Sequence, residues 1–335
     1  MSKPLRWGIV SAGKIANDFC AALSTFSNEE HQVVAVAARK EADAKEFAET
    51  FNIPKYYEGY EKLANDNEVD AVYIGSINTC HLEDSIMMLD AGKPVLCEKP
   101  FALNEKQSVE IFNRAKEKKL FCMEAVWSRF LPSYEYMRHR LDNNDFGEIT
   151  EVEIEYGKEK LGKMERVVKK DLGGSMLLDI GNYAIQFAQF VFRSYPTSIK
   201  ATGKLNDDGV DVEAEIELKY LNGGVAKIKT SAINNLKNQA NIYGSKGSMT
   251  VDQFWACTYL IDIDGHPKEW KLPEPKQGEF VFNNRAGLRF QAEETRRCIN
   301  EGKLESDLMP QKETIEIARI RDEIRKQIGV RYDED

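Results

Sequence analysis

A chain of 335 residues, 42% hydrophobic and 30% charged, is long enough for two domains with cores of their own and is compositionally neither disordered nor fibrous. A formal net charge of −9 disfavours a sequence-independent grip on nucleic-acid phosphates, and no run approaches the about 18 consecutive apolar residues of a membrane span. Six scattered cysteines without a CxxC pair and four histidines without HxxxH spacing offer neither a metal site nor a disulfide framework. Proton chemistry then falls to side chains, and with no signal-peptide core after Met1 a cytoplasmic location is expected.

In chain order, residues 6–10, 33–38, 71–75, 94–97 and 120–124 are short apolar or β-branched runs. Residues 15–23, 41–51, 81–91 and 104–118 between them carry helical spacing, Asn104 standing as a cap with Gln107 as its capping-box partner. Such alternation predicts five parallel strands in βαβ units, and a helix over 133–141 leads onward. After Gly147 the spacing changes to two. Val212, Ala214, Ile216, Leu218 and Tyr220 fall on one face of a strand, with Glu213, Glu215, Glu217 and Lys219 on the other. A loop of Asn222, Gly223 and Gly224 would pair this strand with 225–232, burying Ala226, Ile228, Thr230 and Ala232 and setting Lys229 opposite Glu217. Further strands are expected over 197–205, 239–243, 248–251 and 259–263, with helices near 174–192, 285–300 and 311–328 on the apolar face. The fold class is an α/β Rossmann domain over 1–125 plus an α+β domain with an open, predominantly antiparallel sheet over 126–335, its C-terminal helices able to pack back on the first.

The first strand meets the first helix at Ser11-x-Gly13-x-x-Ala16, where a dinucleotide fingerprint belongs. Gly13 lets backbone approach a pyrophosphate, Ala16 allows close helix packing, and the helix start at Lys14 and Ile15 offers free N–H groups to phosphate. Ser11 occupies the place of the usual first glycine. Arg39 and Lys40 end the second strand, where an acidic residue would hold the ribose hydroxyl of NAD and an arginine fork suits a 2′-phosphate, so NADP is the cofactor expected. Ser76, Asn78 and His81 follow the next strand at the edge where open α/β sheets keep ligands; His81 either faces the nicotinamide or simply begins a helix.

Lys99, between Glu98 and Pro100, sits at a strand tip facing the same crevice. Beyond the Gly173-Gly174 turn, Asp179 and Tyr183 are four residues apart and share a helix face. Oxidising an alcohol needs a base for its hydroxyl proton. A phenol of ordinary pKa about 10 must be drawn down by about three units, roughly 4 kcal/mol, to serve, and a Lys99 ammonium beside Tyr183 could do this. Lys99 acting directly as the base is the rival assignment.

Gly8 to Ala16, Glu98-Lys99-Pro100 and Gly173-Gly174 with Asp179-x-Gly181-x-Tyr183 together resemble the Gfo/Idh/MocA oxidoreductase family over nearly the whole chain. Trp7 to Ser11, Val34 to Arg39, Leu96 to Pro100 and Met123 to Phe130 resemble its animal dihydrodiol dehydrogenase branch. The resemblance implies a homodimer that takes NADP and small hydroxylated substrates, oxidising trans-dihydrodiols to catechols and D-xylose and related aldoses to lactones. It places Lys99, Tyr183 and Asp179 at catalytic positions, Glu98 beside the cofactor, and Trp127, Arg129, Tyr156 and Phe282 at the substrate, although that branch leads one to expect Phe where Tyr156 stands. Two alternatives share the fold: a non-catalytic NADP-sensing regulator, which need not keep Lys99 with Tyr183, and another sugar, dicarbonyl or tetrapyrrole reductase, the last calling for a wide cationic cleft.

Overall fold

The computed structural model describes residues 3–335. The chain first runs β1 (Leu5–Val10), α1 (Lys14–Leu23), β2 (His31–Ala38), α2 (Glu41–Phe51), β3 (Lys55–Glu58), α3 (Tyr60–Ala64), β4 (Ala71–Ile74), α4 (His81–Asp90), β5 (Val95–Glu98), α5 (Glu105–Lys118) and β6 (Cys122–Ala125). It continues through α6 (Pro132–Asp142), β7 (Ile149–Gly157), α7 (Glu165–Val168), α8 (Asn182–Phe192), β8 (Ser198–Leu205), β9 (Asp211–Lys219) and β10 (Val225–Ser231). Strands β11 (Gln239–Gly244), β12 (Gly247–Asp252), β13 (Tyr259–Ile261) and β14 (Pro267–Glu269) and helices α9 (Leu288–Asn300) and α10 (Gln311–Ile328) complete it.

Two compact units result. The first holds the chain up to Ala102, Lys106–Phe130 and Leu272–Thr314; the second holds Leu103–Glu105, Leu131–Lys271 and Ile315–Asp335. This division differs from a single cut at residue 125, because 126–130 and 272–314 go with the first unit. In particular α9, for which both the second sheet's apolar face and a return to the first domain were expected, lies on α1. Its amphipathic spacing announced a buried stripe but not which surface would cover it.

The first sheet is wholly parallel in the order β3-β2-β1-β4-β5-β6, a Rossmann sheet whose order reverses between β1 and β4. Its centre is covered on both faces, so Trp7, Ile9, Val36, Tyr73, Ile74 and Leu96 are fully buried and their strands read as apolar runs. The unexpected sixth strand, β3, is an edge strand whose residues alternate between half-buried and exposed. A short polar strand of this kind carries too little apolar periodicity to be seen in sequence.

The second sheet has eight strands in the order β14-β13-β12-β11-β7-β10-β9-β8, antiparallel except where β7 lies parallel to β10. Its apolar face, with Val152, Ile154, Ile216, Ile228, Ile242 and Val251, is buried, and α8 packs on β7 and β10. The β9–β10 pairing buries the expected residues, but its register is shifted by two: Lys229 pairs with Glu215, and Lys227 is the residue opposite Glu217. The Tyr220 N–H donates to the Gly224 carbonyl at 2.9 Å, so the loop is Leu221-Asn222-Gly223, closed by Gly223 at φ +85°. The loop thus begins one residue before the expected Asn222, at Leu221, which is 88% exposed. On the polar face the acidic stripe is matched by lysines, with Lys229 2.7 Å from Glu215 and Lys204 2.6 Å from Glu213. The edge strand β8 is guarded by Gln327 of α10, which accepts from the Ala201 N–H and donates to the Ile199 carbonyl.

Candidate active site

The dinucleotide half is built within the first unit. β1 ends in Ser11, whose backbone takes φ +82° while its N–H bonds the Ala37 carbonyl at 2.9 Å, so the chain makes with serine the left-handed turn usually given to glycine. Gly13 caps α1 without a side-chain bond, and the first turn, with Lys14 and Ile15, contains no acidic residue. At φ −85° Gly13 has an ordinary backbone, and a Cβ there would meet nothing nearer than Ser11 Oγ at 3.4 Å and Gly75 O at 3.8 Å. Nothing in the protein demands glycine at that point. Close approach of a phosphate to the open helix end does, so these residues fit a dinucleotide pyrophosphate. Ala16 is fully buried, as helix-on-sheet packing requires.

Arg39 and Lys40 are exposed at the end of β2. Arg39 acts electrostatically on Tyr60 and Cys80, so a cation, an aromatic ring and the start of α4 surround this edge. Ser76 donates to Asp84 at 2.6 Å, and burial pushes the Asp84 carboxyl up to about 6. Asn78 lies in the turn before α4 and is half-buried. The Asp84 shift fixes a pH dependence of stability. Between about pH 4 and pH 6 the folded chain keeps a proton that the unfolded chain has lost, so Asp84 makes stability fall as pH rises through this window. Asp84→Asn keeps an acceptor for Ser76 and removes the buried charge. It is expected to flatten that slope and to gain up to about 2 to 3 kcal/mol at neutral pH. Urea unfolding at several pH values checks this, and a variant profile parallel to the wild type would contradict it.

His81 is 1% exposed, with Nδ1 2.9 Å from the Pro100 carbonyl and Nε2 3.1 Å from the Ser76 carbonyl. It begins α4 and is engaged by backbone on both ring nitrogens, so it braces the Ser76 and Pro100 loops and does not face the nicotinamide as one expectation had it. Burial, with help from the Lys99 charge, lowers its pKa. Lys99 stands at the tip of β5, joined to Pro100 by a cis peptide. Beside it Glu98 is buried, accepts from the Tyr73 hydroxyl at 2.7 Å and from the Lys99 N–H at 3.2 Å, and is pushed up by burial against the pull of Tyr73, Lys99 and Arg285.

The second unit carries Asp179 and Tyr183. The expected α-helix over 174–192 opens with a π-helical turn, Leu177–Gly181, before α8. A Cβ on Gly181 would lie 2.7 Å from Leu177 Cδ1, so a larger residue there would have to displace the end of that side chain. Tyr183 is 2% exposed, and Asp179 accepts from Arg166 at 2.8 Å. The Asp179 charge and hydrogen bond raise the Arg166 pKa, with Tyr156 adding to the effect. Tyr156 is 5% exposed and meets Trp255 edge-on at 4.3 Å, with the Lys158 ammonium over both rings. Sequence reasoning passed over Arg166 and Trp255, neither of which lies in a motif.

The turn is anchored by Asp211, fully buried at the start of β9, which accepts from Ser175 Oγ and from the Leu177 N–H at 2.7 Å. Burial pushes its carboxyl up while these two donors hold it down. Asp211→Ala strands both donors, so a loss of about 3 kcal/mol in unfolding free energy is expected in denaturant titration. A loss under about 1 kcal/mol would mean that the turn does not depend on this anchor.

Arg129, expected at the substrate, is 3% exposed and pairs with Glu313 through both guanidinium nitrogens. A carboxylate from the returning chain, distant in sequence, engages it within the first unit. Trp127 is fully buried and Phe282 half-buried, and the Arg285 guanidinium lies over both rings. Among the described residues no cluster of His, Cys, Asp and Glu could hold a metal ion, and no helix is long and apolar enough to cross a membrane.

Residues 5–126 match the family described as oxidoreductase family, NAD-binding Rossmann fold, and residues 134–250 match the GFO/IDH/MocA C-terminal domain. A relative from Danio rerio, named trans-1,2-dihydrobenzene-1,2-diol dehydrogenase, is 41% identical over 332 residues, 99% of each chain. Relatives of the same name from Xenopus laevis and Homo sapiens are 42% and 39% identical, covering 98% and 99% of this chain and 99% of their own. Among solved structures, a 3-ketoreductase from Actinomadura kijaniata in complex with NADP and TDP-benzene shares the fold at TM-score 0.82 and 24% identity, over 98% of this chain and 99% of that one. Levoglucosan dehydrogenase, in complex with NADH and levoglucosan, does so at TM-score 0.82 and 19% identity, over 98% of each chain. With the open end of α1, these matches make a nicotinamide dinucleotide the cofactor class.

Proposed function

The chain belongs to the Gfo/Idh/MocA oxidoreductase family, and from that premise we propose that it is an NADP-dependent dehydrogenase of trans-dihydrodiols, which become catechols, and of aldoses such as D-xylose, which become lactones. The observation that carries this reading is Lys99 at the tip of β5, next to the buried Glu98–Tyr73 pair, on the same sheet edge as the open end of α1. The agreement in length and sequence with the dihydrodiol dehydrogenase relatives supports the substrate class. Arg39, exposed at the end of β2, supports the 2′-phosphate.

Bound NADP supplies the acceptor for the hydride that leaves the carbinol carbon. The proton is the business of this chain. Tyr183 takes it as a phenolate, having released its own proton to solvent before substrate closes the site, and Lys99 stabilises that phenolate and donates to the substrate oxygen. Burial of Tyr183 keeps water from competing for that proton. Arg166 holds Asp179 in place on the widened turn that leads to Tyr183.

Steady-state kinetics with NADP and with NAD, against trans-dihydrodiols, D-xylose, dicarbonyls and a linear tetrapyrrole, tests the reading. Turnover of a dihydrodiol or aldose with NADP preferred is expected. Cofactor binding without turnover of any of these would favour a sensing role instead.

A further inference from the structure

Residues 276–285 run as a strap along α1 within the first unit. Ser24, at the end of that helix, accepts from the N–H groups of Lys276 at 2.9 Å and Gln277 at 3.1 Å, and Asn17 donates to the Glu279 carbonyl at 2.8 Å. Asp18, fully buried, accepts from the N–H groups of Val281 at 2.6 Å and Phe282 at 3.1 Å. Backbone tied down at so many points fixes where the next side chains project. They are Phe282 and Arg285.

The Arg285 guanidinium carbon lies 4.9 Å from the centre of the Trp127 ring and 5.1 Å from that of Phe282. A planar cation placed against two aromatic rings is held in orientation as well as in position. Its Nε is 3.9 Å from the Asp18 carboxylate, an ion-pair distance too long for a hydrogen bond. Among the described residues the guanidinium makes no hydrogen bond; its Nε is buried, and the side chain as a whole is 17% exposed. An oriented guanidinium whose terminal N–H groups have no acceptor among the described residues offers a planar two-donor fork to a ligand oxygen. Asp18 already serves as counter-ion, so the fork adds no net charge, which favours neutral oxygens over a carboxylate or phosphate.

We propose that Arg285 is a specificity-determining residue whose terminal N–H groups bind the second oxygen of a vicinal diol while Trp127 and Phe282 hold its plane. This rests on the dehydrogenase reading above for the identity of the diol. It gives the protein a reason to prefer a vicinal diol, or the adjacent oxygens of an aldose, over an alcohol with a single hydroxyl.

The test compares catechol with phenol, which differ by that one hydroxyl, as ligands of the NADP-loaded protein, followed by tryptophan fluorescence. The wild type is expected to bind catechol about tenfold or more tightly than phenol, and Arg285→Gln to bring the ratio within about twofold of unity. Arg285→Lys, which keeps the charge and loses the fork, should fall between. Arg289→Gln, which removes a guanidinium stacked on Phe26 instead, should leave the ratio where it was. In parallel, KM of Arg285→Gln for a trans-dihydrodiol should rise about tenfold with kcat reduced less than about threefold, a split that general unfolding would not give. A wild-type ratio near one, or a ratio unchanged in Arg285→Gln, overturns the assignment. A ratio that collapses in a protein that turns over no diol or aldose would leave the assignment standing and overturn the dehydrogenase reading.

Discussion

Lys99→Met is expected to lower kcat by about a thousandfold while the NADP dissociation constant moves less than about threefold. The methionine side chain fills similar space at the tip of β5 but can neither donate to the substrate oxygen nor steady a developing anion. Removing one charged donor to such an oxygen costs about a hundred- to a thousandfold in rate, and loss of support for the base adds to it. Tyr183→Phe tells the two base assignments apart. If the phenol is the base, its loss should reduce kcat about as far as loss of Lys99, because the two act as a unit and their effects do not add. If Lys99 is the base, Tyr183→Phe should retain a tenth or more of the activity. Steady-state kinetics with NADP titration checks both, and full activity in both variants would remove this pair from the mechanism.

The second large effect concerns the coenzyme. Arg39→Ala should raise KM for NADP about 30- to 100-fold and leave KM for NAD within about threefold, since only the phosphorylated ribose loses charge-assisted hydrogen bonds. Arg39→Asp should go further and reverse the preference, by repelling the 2′-phosphate and accepting from a 2′-hydroxyl. Equal losses with both coenzymes would show that Arg39 supports the fold of this edge and does not read the phosphate.

Sequence made legible what has a period or a motif. The buried strands around Ile9, Val36 and Ile74, the open start of α1 at Gly13 and the change to alternation after Gly147 were all visible, because each leaves a repeating mark along the chain. What escaped is nonlocal. Two residues of slip between β9 and β10 leave the buried face unchanged, so the pattern of Ile216 and Ile228 could not tell Lys229–Glu215 from Lys229–Glu217. The amphipathic spacing of α9 left two surfaces open to it, the second sheet and the first domain, and α1 is the one that covers it. The pairing of Arg129 with Glu313 could not be read from sequence, because Glu313 comes from a distant part of the chain. Asp18 and Asp211 gave no signal at all, since an acid that accepts backbone N–H groups in the interior looks in sequence like any surface acid. For the same reason Arg285, an arginine in an irregular stretch, became visible only with its guanidinium over the Trp127 and Phe282 rings.

A crystal structure of the ternary complex with NADP and a trans-dihydrodiol or its catechol product tests the central claim most directly. The expected result is a single substrate oxygen within hydrogen-bond distance of both the Lys99 ammonium and the Tyr183 hydroxyl, with its carbon facing C4 of the nicotinamide. Substrate held elsewhere, or either group turned away from that oxygen, would contradict it.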